Sequence, residues 1–177
     1  MPYSSGDFEP LLHNFVSQFQ PSSIFDVGIG AGRLGTICRQ AHPPAKIVGF
    51  EVWQPYVDQF KPNYEGVYND IVVADFRDWI KQNSNWRSDL IVFGDVLEHF
   101  FYSQVHDCLQ FCQYRSKHII IIWPTEYSQD EAFGNLEESH RCNFRLRDLI
   151  DYDIEFYQKM AIEQNSTLHM VVIKGLI

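Results

Sequence analysis

Ile24-Phe25-Asp26-Val27-Gly28-Ile29-Gly30-Ala31-Gly32-Arg33-Leu34-Gly35 is the stretch whose reading decides the fold of this chain. A short apolar run meets an acidic residue, Asp26, and three glycines follow at alternate positions, Gly28, Gly30 and Gly32. A helical pattern starts at once, with Leu34, Ile37, Cys38 and Ala41 on one face. A buried strand, a glycine turn and a helix in that order form the unit with which open α/β sheets hold an adenosine-bearing cofactor.

On the N-terminal side, Phe8, Leu11, Leu12, Phe15, Val16 and Phe19 keep a helical period, so residues 1–20 are expected to hold an amphipathic helix that Pro21 ends. The first strand is Ser23 to Val27, and its helix runs from about Gly32 to Ala41, stopped by Pro43-Pro44. Further strands are read at Lys46 to Glu51, Ile71 to Ala74, Asp89 to Gly94 and His118 to Trp123. The last two are nearly all apolar, as strands covered on both faces should be. Between them come a short helix over Pro55 to Phe60 and a helix capped by Asp75 with Phe76, Trp79 and Ile80 inward. The next helix places Phe101, Val105, Cys108, Leu109 and Cys112 on one face. Residues 124–143 read as a long polar segment, suited to a lid or a substrate contact, and Phe144 to Ile150 as a short helix. Ile154 to Met160 and Leu168 to Ile173 have no helix between them and read as an antiparallel pair joined through Gln164-Asn165-Ser166. The expected fold is a single α/β domain over residues 1–177. It is a Rossmann-like doubly wound sheet, mostly parallel, of seven strands with an antiparallel C-terminal strand.

Composition narrows the function. The chain has 177 residues, 45% of them hydrophobic and 15% aromatic, enough to build a core. The longest apolar run, Ile119 to Trp123, is far too short to span a bilayer, and Met1-Pro2-Tyr3-Ser4-Ser5 has no signal-peptide pattern. Four cysteines do not make a disulfide framework, so a cytoplasmic, reduced protein without a membrane partner is expected. A formal net charge of −9 argues against nucleic acid as a partner. Arg141, Arg145 and Arg147 form the only local basic cluster, and Glu137, Glu138 and Asp148 flank it.

The acids at the strand ends identify the cofactor class. Asp26 with its glycines, Glu51 ending the second strand, Asp75-Phe76 ending the third, and Asp95-Val96-Leu97-Glu98-His99 after the fourth fall in one order. In this the chain resembles the class I S-adenosylmethionine-dependent methyltransferases, over nearly all of its length. The glycines alone do not decide, since Gly30-x-Gly32-x-x-Gly35 also fits a dinucleotide fingerprint with Glu51 as its ribose carboxylate. Charge does. A pyrophosphate is repelled by carboxylates, whereas S-adenosylmethionine is a net cation that four acids on the strand-end rim would suit.

The resemblance implies a role for each landmark. Gly28, Gly30 and Gly32 should let the backbone pass close to the methionine part, and Asp26 should lie near its ammonium group. Glu51 should accept hydrogen bonds from both ribose hydroxyls, with Val52 and Trp53 over the adenine. Asp75 should take the adenine amino group, with the Phe76 amide near a ring nitrogen. Asp95 and the backbone of Gly94 should approach the methionyl end. The acceptor is expected to be a small molecule methylated at oxygen or nitrogen, with S-adenosyl-L-methionine as donor. His99, after the fourth strand, and His140, in the segment after the fifth, are the candidate catalytic residues because either imidazole can take a proton near neutral pH. Cys108 and Cys112 read as core thiols, and no metal is expected. The runners-up are a non-catalytic methyltransferase-like binding protein and an NAD(P)-dependent Rossmann oxidoreductase. Nothing in the sequence sets an oligomeric state or names the acceptor.

Overall fold

A computed structural model describes residues 6–161 and 166–177. Residues 1–5, where the sequence lacks a signal-peptide pattern, and the Gln164-Asn165 part of the expected hairpin turn lie outside the described residues. In chain order the elements are α1 (Glu9–Phe19), β1 (Ser23–Val27), α2 (Arg33–Ala41), β2 (Lys46–Glu51), α3 (Gln54–Tyr64), β3 (Asp70–Val73) and α4 (Phe76–Gln82). They continue with β4 (Ser88–Gly94), α5 (Tyr102–Gln113), β5 (Ser116–Thr125), β6 (Ile154–Ala161) and β7 (Thr167–Lys174). All seven strands form one sheet in the order β3-β2-β1-β4-β5-β7-β6. Neighbours from β3 to β5 are parallel, and β7 runs antiparallel to both β5 and β6.

Strand side chains alternate between two buried layers. Ile24, Ile47, Leu90, Val92, Ile120 and Ile122 pack with Leu12 and Val16 of α1 and Leu34, Ile37 and Cys38 of α2. Phe25, Phe50, Ile91, Phe93, Ile119 and Ile121 face the other way, onto Phe76 and Ile80 of α4 and Val105, Leu109 and Cys112 of α5. Both faces are covered, which is why these strands read as continuous apolar runs. Cys108 and Cys112 are buried in this second layer. Among the described residues, no helix is long and apolar enough to cross a membrane.

Four local expectations need correction. The helix expected over Pro55 to Phe60 continues as α3 to Tyr64, through Pro62. Its last turn is held by tertiary bonds that offset the missing proline amide: the Tyr64 hydroxyl donates to the Gly30 carbonyl, and the Asn63 amide to the Ala31 carbonyl at 3.0 Å. β5 runs on through Pro124, which lies opposite Leu168. β4 ends at Gly94 opposite Ile122, so the missing Pro124 amide faces no strand on that side. The helix expected from Phe144 to Ile150 is one 3-10 turn, Leu146–Leu149. Phe101 is not on the buried face of α5: it is the N-cap and stands 56% exposed, near the Arg141 guanidinium.

Candidate functional site

The carboxyl ends of β1, β2 and β4 open into a cavity of about 360 Å³. It lies where open α/β sheets bind ligands. Its floor is the turn after β1. Gly28 leaves the strand at φ +73°, a conformation costly for any residue with a Cβ, and a Cβ there would overlap a Val96 methyl group. The amides of Gly28 and Ile29 donate to the Phe50 carbonyl at 2.9 and 3.1 Å, locking the turn to β2. Gly32, at φ +83°, caps α2 and does not line the cavity. Gly28, Gly30, Val52, Phe76 and Gly94 do.

Each acid at the rim has its own setting. Glu51 is buried, with one carboxylate oxygen accepting from the Gly30 amide at 3.2 Å and the other from the Trp53 amide at 3.0 Å. Burial pushes its carboxyl up, against those two amides, which hold it down. Asp26 is buried and accepts from the Tyr68 hydroxyl at 2.6 Å. Burial raises its carboxyl to about 6 despite that bond. Asp75 caps α4 by accepting from the Arg77 amide at 2.9 Å, and both its oxygens also hold the Arg77 guanidinium. Burial pushes Asp75 up, but these bonds leave it below the usual carboxylate range. Asp95 turns the chain at φ +52°, a strained conformation for a non-glycine residue, while its amide donates to the Ile122 carbonyl at 2.9 Å. Trp53 packs edge-on against Tyr56, with ring centres 4.5 Å apart, and is not part of the cavity wall.

His99 and His140 come together. Their ring centres are 4.9 Å apart and both line the cavity. His99 Nδ1 lies 3.3 Å from the Ser139 carbonyl, and His140 Nδ1 lies 3.0 Å from the Tyr127 carbonyl. Burial lowers both imidazoles below their ordinary value, which favours the neutral ring. The segment after β5 also contributes Tyr127, Gln129, Asn135 and Glu138 to the wall.

Sequence reasoning missed Glu98, although it sits inside the quoted Asp95 to His99 run. Its side chain is buried, lines the cavity, and has no hydrogen-bond partner at either oxygen among the described residues. Burial, and then the Asp95 charge, push its carboxyl well up. Tyr68 was also missed, because it acts through Asp26 from the far side of the glycine turn.

The balance of charge at the cavity is acidic. The two guanidinium groups on its wall are each paired, Arg33 with Glu9 and Arg77 with Asp75, while Glu51 and Glu138 stand on the same wall with no guanidinium of the described residues bonded to them.

No protein-family model matches this sequence. No curated protein matches it either. Its fold, however, is similar to many solved structures. The pyocyanin biosynthetic protein PhzM superposes with a TM-score of 0.63 at 16% identity, over 93% of this chain and 54% of that one, so the chain spans about half of PhzM. The N-terminal domain of EvdMO1, solved with SAH and D-fucose, gives a TM-score of 0.67 at 12% identity, over 98% and 85% of the two chains. A candidate RNA methyltransferase from Pyrococcus horikoshii gives 0.62 at 15% identity, over 97% and 86%. The strand order, the reversed β7 and these superpositions define the chain as a class I methyltransferase fold.

Proposed function

We propose that the chain binds S-adenosylmethionine in this cavity and directs its methyl group to an oxygen or nitrogen of a small molecule. The observation that carries the reading is the acidic cavity at the strand ends, whose guanidinium groups are already paired. Such a wall suits a cation and opposes a pyrophosphate, which disfavours the dinucleotide oxidoreductase reading. SAH, the demethylated product, is bound in another solved structure of the EvdMO1 N-terminal domain. A small acceptor is favoured over RNA because the one local basic cluster is neutralised internally. Arg141 pairs with Glu137 at 3.3 Å, Arg145 with Glu126 at 3.3 Å and Arg147 with Asp148 at 3.7 Å.

When bound, S-adenosylmethionine supplies a sulfonium-activated methyl group, so the protein has mainly to align and desolvate. In this reading Glu51 accepts from the ribose hydroxyls with the lone pairs that Gly30 and Trp53 leave open. Asp26 supplies negative charge beneath the glycine turn. Asp75, held by Arg77, keeps outer lone pairs for the adenine amino group. Val52, Phe76, Gly94 and Asp95 complete the cofactor side of the wall. The acceptor lies on the side of residues 124–143, and Nε2 of His99 or His140 takes its proton where it must lose one.

Calorimetry with SAH and with NADH tests the cofactor assignment. We expect SAH to bind and NADH not to, and the opposite pattern overturns the reading. Turnover of methyl-labelled S-adenosylmethionine against a metabolite panel then separates an enzyme from a non-catalytic binder.

A further inference from the structure

We propose that Glu98, His99 and His140 form a site for one divalent transition-metal cation on the acceptor side of the cavity. Each offers a ligand atom, and these atoms lie within 4.8 Å of one another. Bound at about 2.1 Å each, ligands of this kind stand roughly 3.0–3.5 Å apart. The three ligand atoms therefore need to converge by no more than about 1.8 Å, within reach of small torsional changes.

Two independent features point to a cation. The first is Glu98. A carboxyl group buried from water is normally met by donors, and both oxygens of this one meet none among the described residues. A cation among Glu98, His99 and His140 supplies what is missing. The second is the orientation of the imidazoles. A backbone carbonyl only accepts, so the contacts from His99 Nδ1 to Ser139 and from His140 Nδ1 to Tyr127 place the ring hydrogen on Nδ1. Each Nε2 is then a lone pair. Metal-binding histidines are commonly fixed in this way, by a carbonyl on the other nitrogen.

The backbone holds the group together before any ligand arrives. The amides of Arg141 and Cys142 donate to the Glu98 carbonyl at 2.8 and 3.2 Å, and the His140 amide donates to the Gln129 carbonyl at 2.8 Å. The 3-10 turn Leu97–His99, which carries Glu98 and His99, is thereby tied to the segment that carries His140. Two imidazoles and one carboxylate suit zinc, cobalt, iron or manganese, and not magnesium or calcium, which prefer oxygen throughout. Three protein ligands leave positions open toward the cavity. That these positions receive an acceptor oxygen rests on the methyl-transfer reading, whereas binding of the cation does not. With the cation bound, the two imidazoles are ligands and no longer accept the acceptor's proton.

Chelator-treated protein titrated with Co²⁺ tests the site, read by visible absorption and calorimetry. We expect one equivalent to bind with a d–d band, and Zn²⁺ to displace it. Glu98→Gln and His140→Gln should each weaken Co²⁺ at least ~10-fold. His140→Gln is on a half-buried loop, so it remains informative if Glu98→Gln does not fold. Absence of a saturable Co²⁺ band in wild-type protein, or unchanged Co²⁺ affinity in a folded His140→Gln variant, overturns the site. SAH titrated into the same wild-type sample separates the two proposals. SAH binding without Co²⁺ removes only the cation site, and Co²⁺ binding without SAH removes only the methyl-transfer reading.

Discussion

Replacing Glu51 by alanine should damage both folding and cofactor binding, to different degrees. Its two oxygens accept from the Gly30 and Trp53 amides at 3.2 and 3.0 Å, and the side chain is only 6% exposed. Alanine leaves one buried amide, of Gly30, and one part-buried amide, of Trp53, without acceptors, at roughly 1–3 kcal/mol each. Part of that loss is offset, because water can enter from the cavity and one buried charge disappears. A net destabilisation of about 2–3 kcal/mol follows. SAH binding should fall by a further ~1–3 kcal/mol as the ribose loses its acceptors, or roughly 5- to 150-fold in Kd. Glu51→Gln keeps one acceptor oxygen and should fall between wild type and alanine in both quantities. Urea unfolding reads the first and calorimetry with SAH the second. If the alanine variant binds SAH as wild type does, Glu51 is not the ribose acceptor. If it also unfolds at the same urea concentration, the carboxylate does not hold the turn.

Three other substitutions probe the frame around the cavity. Gly28→Ala combines a left-handed φ of +73° with an overlap on Val96, and should cost ~2–4 kcal/mol in urea unfolding. Adding Val96→Ala should recover only part, since the backbone strain remains, and full recovery would show that the overlap alone mattered. Asp26 is held at about 6 in the folded chain against an ordinary 3.8, so its neutral form favours folding. That contribution is complete below about pH 4 and is lost as pH rises through 6, a swing of about 3 kcal/mol by linkage. Asp26→Asn should therefore gain on wild type between pH 4 and pH 7, and parallel pH profiles of the two unfolding energies would refute this. Arg39→Lys breaks a clip in which one guanidinium donates to the Pro43, Ala45 and Val67 carbonyls and the Asn69 side chain, at 2.6–3.0 Å. Stability should drop ~1–3 kcal/mol with SAH affinity unchanged, which melting curves and calorimetry would read together.

What could be read from the sequence is what is encoded locally. The turn from β1 to α2 is legible because the strand, the glycines and the helical face are contiguous. The parallel strands are legible because burial on both faces leaves unbroken apolar runs such as Ile119 to Trp123. The strand-end acids are legible for the same reason, since each follows directly on such a run. The illegible features depend on distant partners. Pro62 argues for a helix end, and only the bonds from Tyr64 and Asn63 to the glycine turn carry α3 past it. Asp75 reads correctly as a cap, but its guanidinium partner two positions on could as well have faced water. Glu98 and His140 meet through loop bonds with no local pattern, so their juxtaposition is a tertiary fact. Phe101 shows the reverse error, in which an apolar residue in helical phase falls one position before the helix starts.

The placement of β7 between β5 and β6 has a consequence for how the chain is made. As the protein leaves the ribosome, β1 to β5 can pair in order of synthesis, but the outer edge of β5 stays open until β7 emerges. That edge carries Ile119, Ile120, Ile121 and Ile122, four residues that would template pairing with another chain. The nascent protein thus passes through a stage with a long apolar edge exposed. Holding that edge apart from other copies, by chaperone or by low expression temperature, should govern the yield of soluble material.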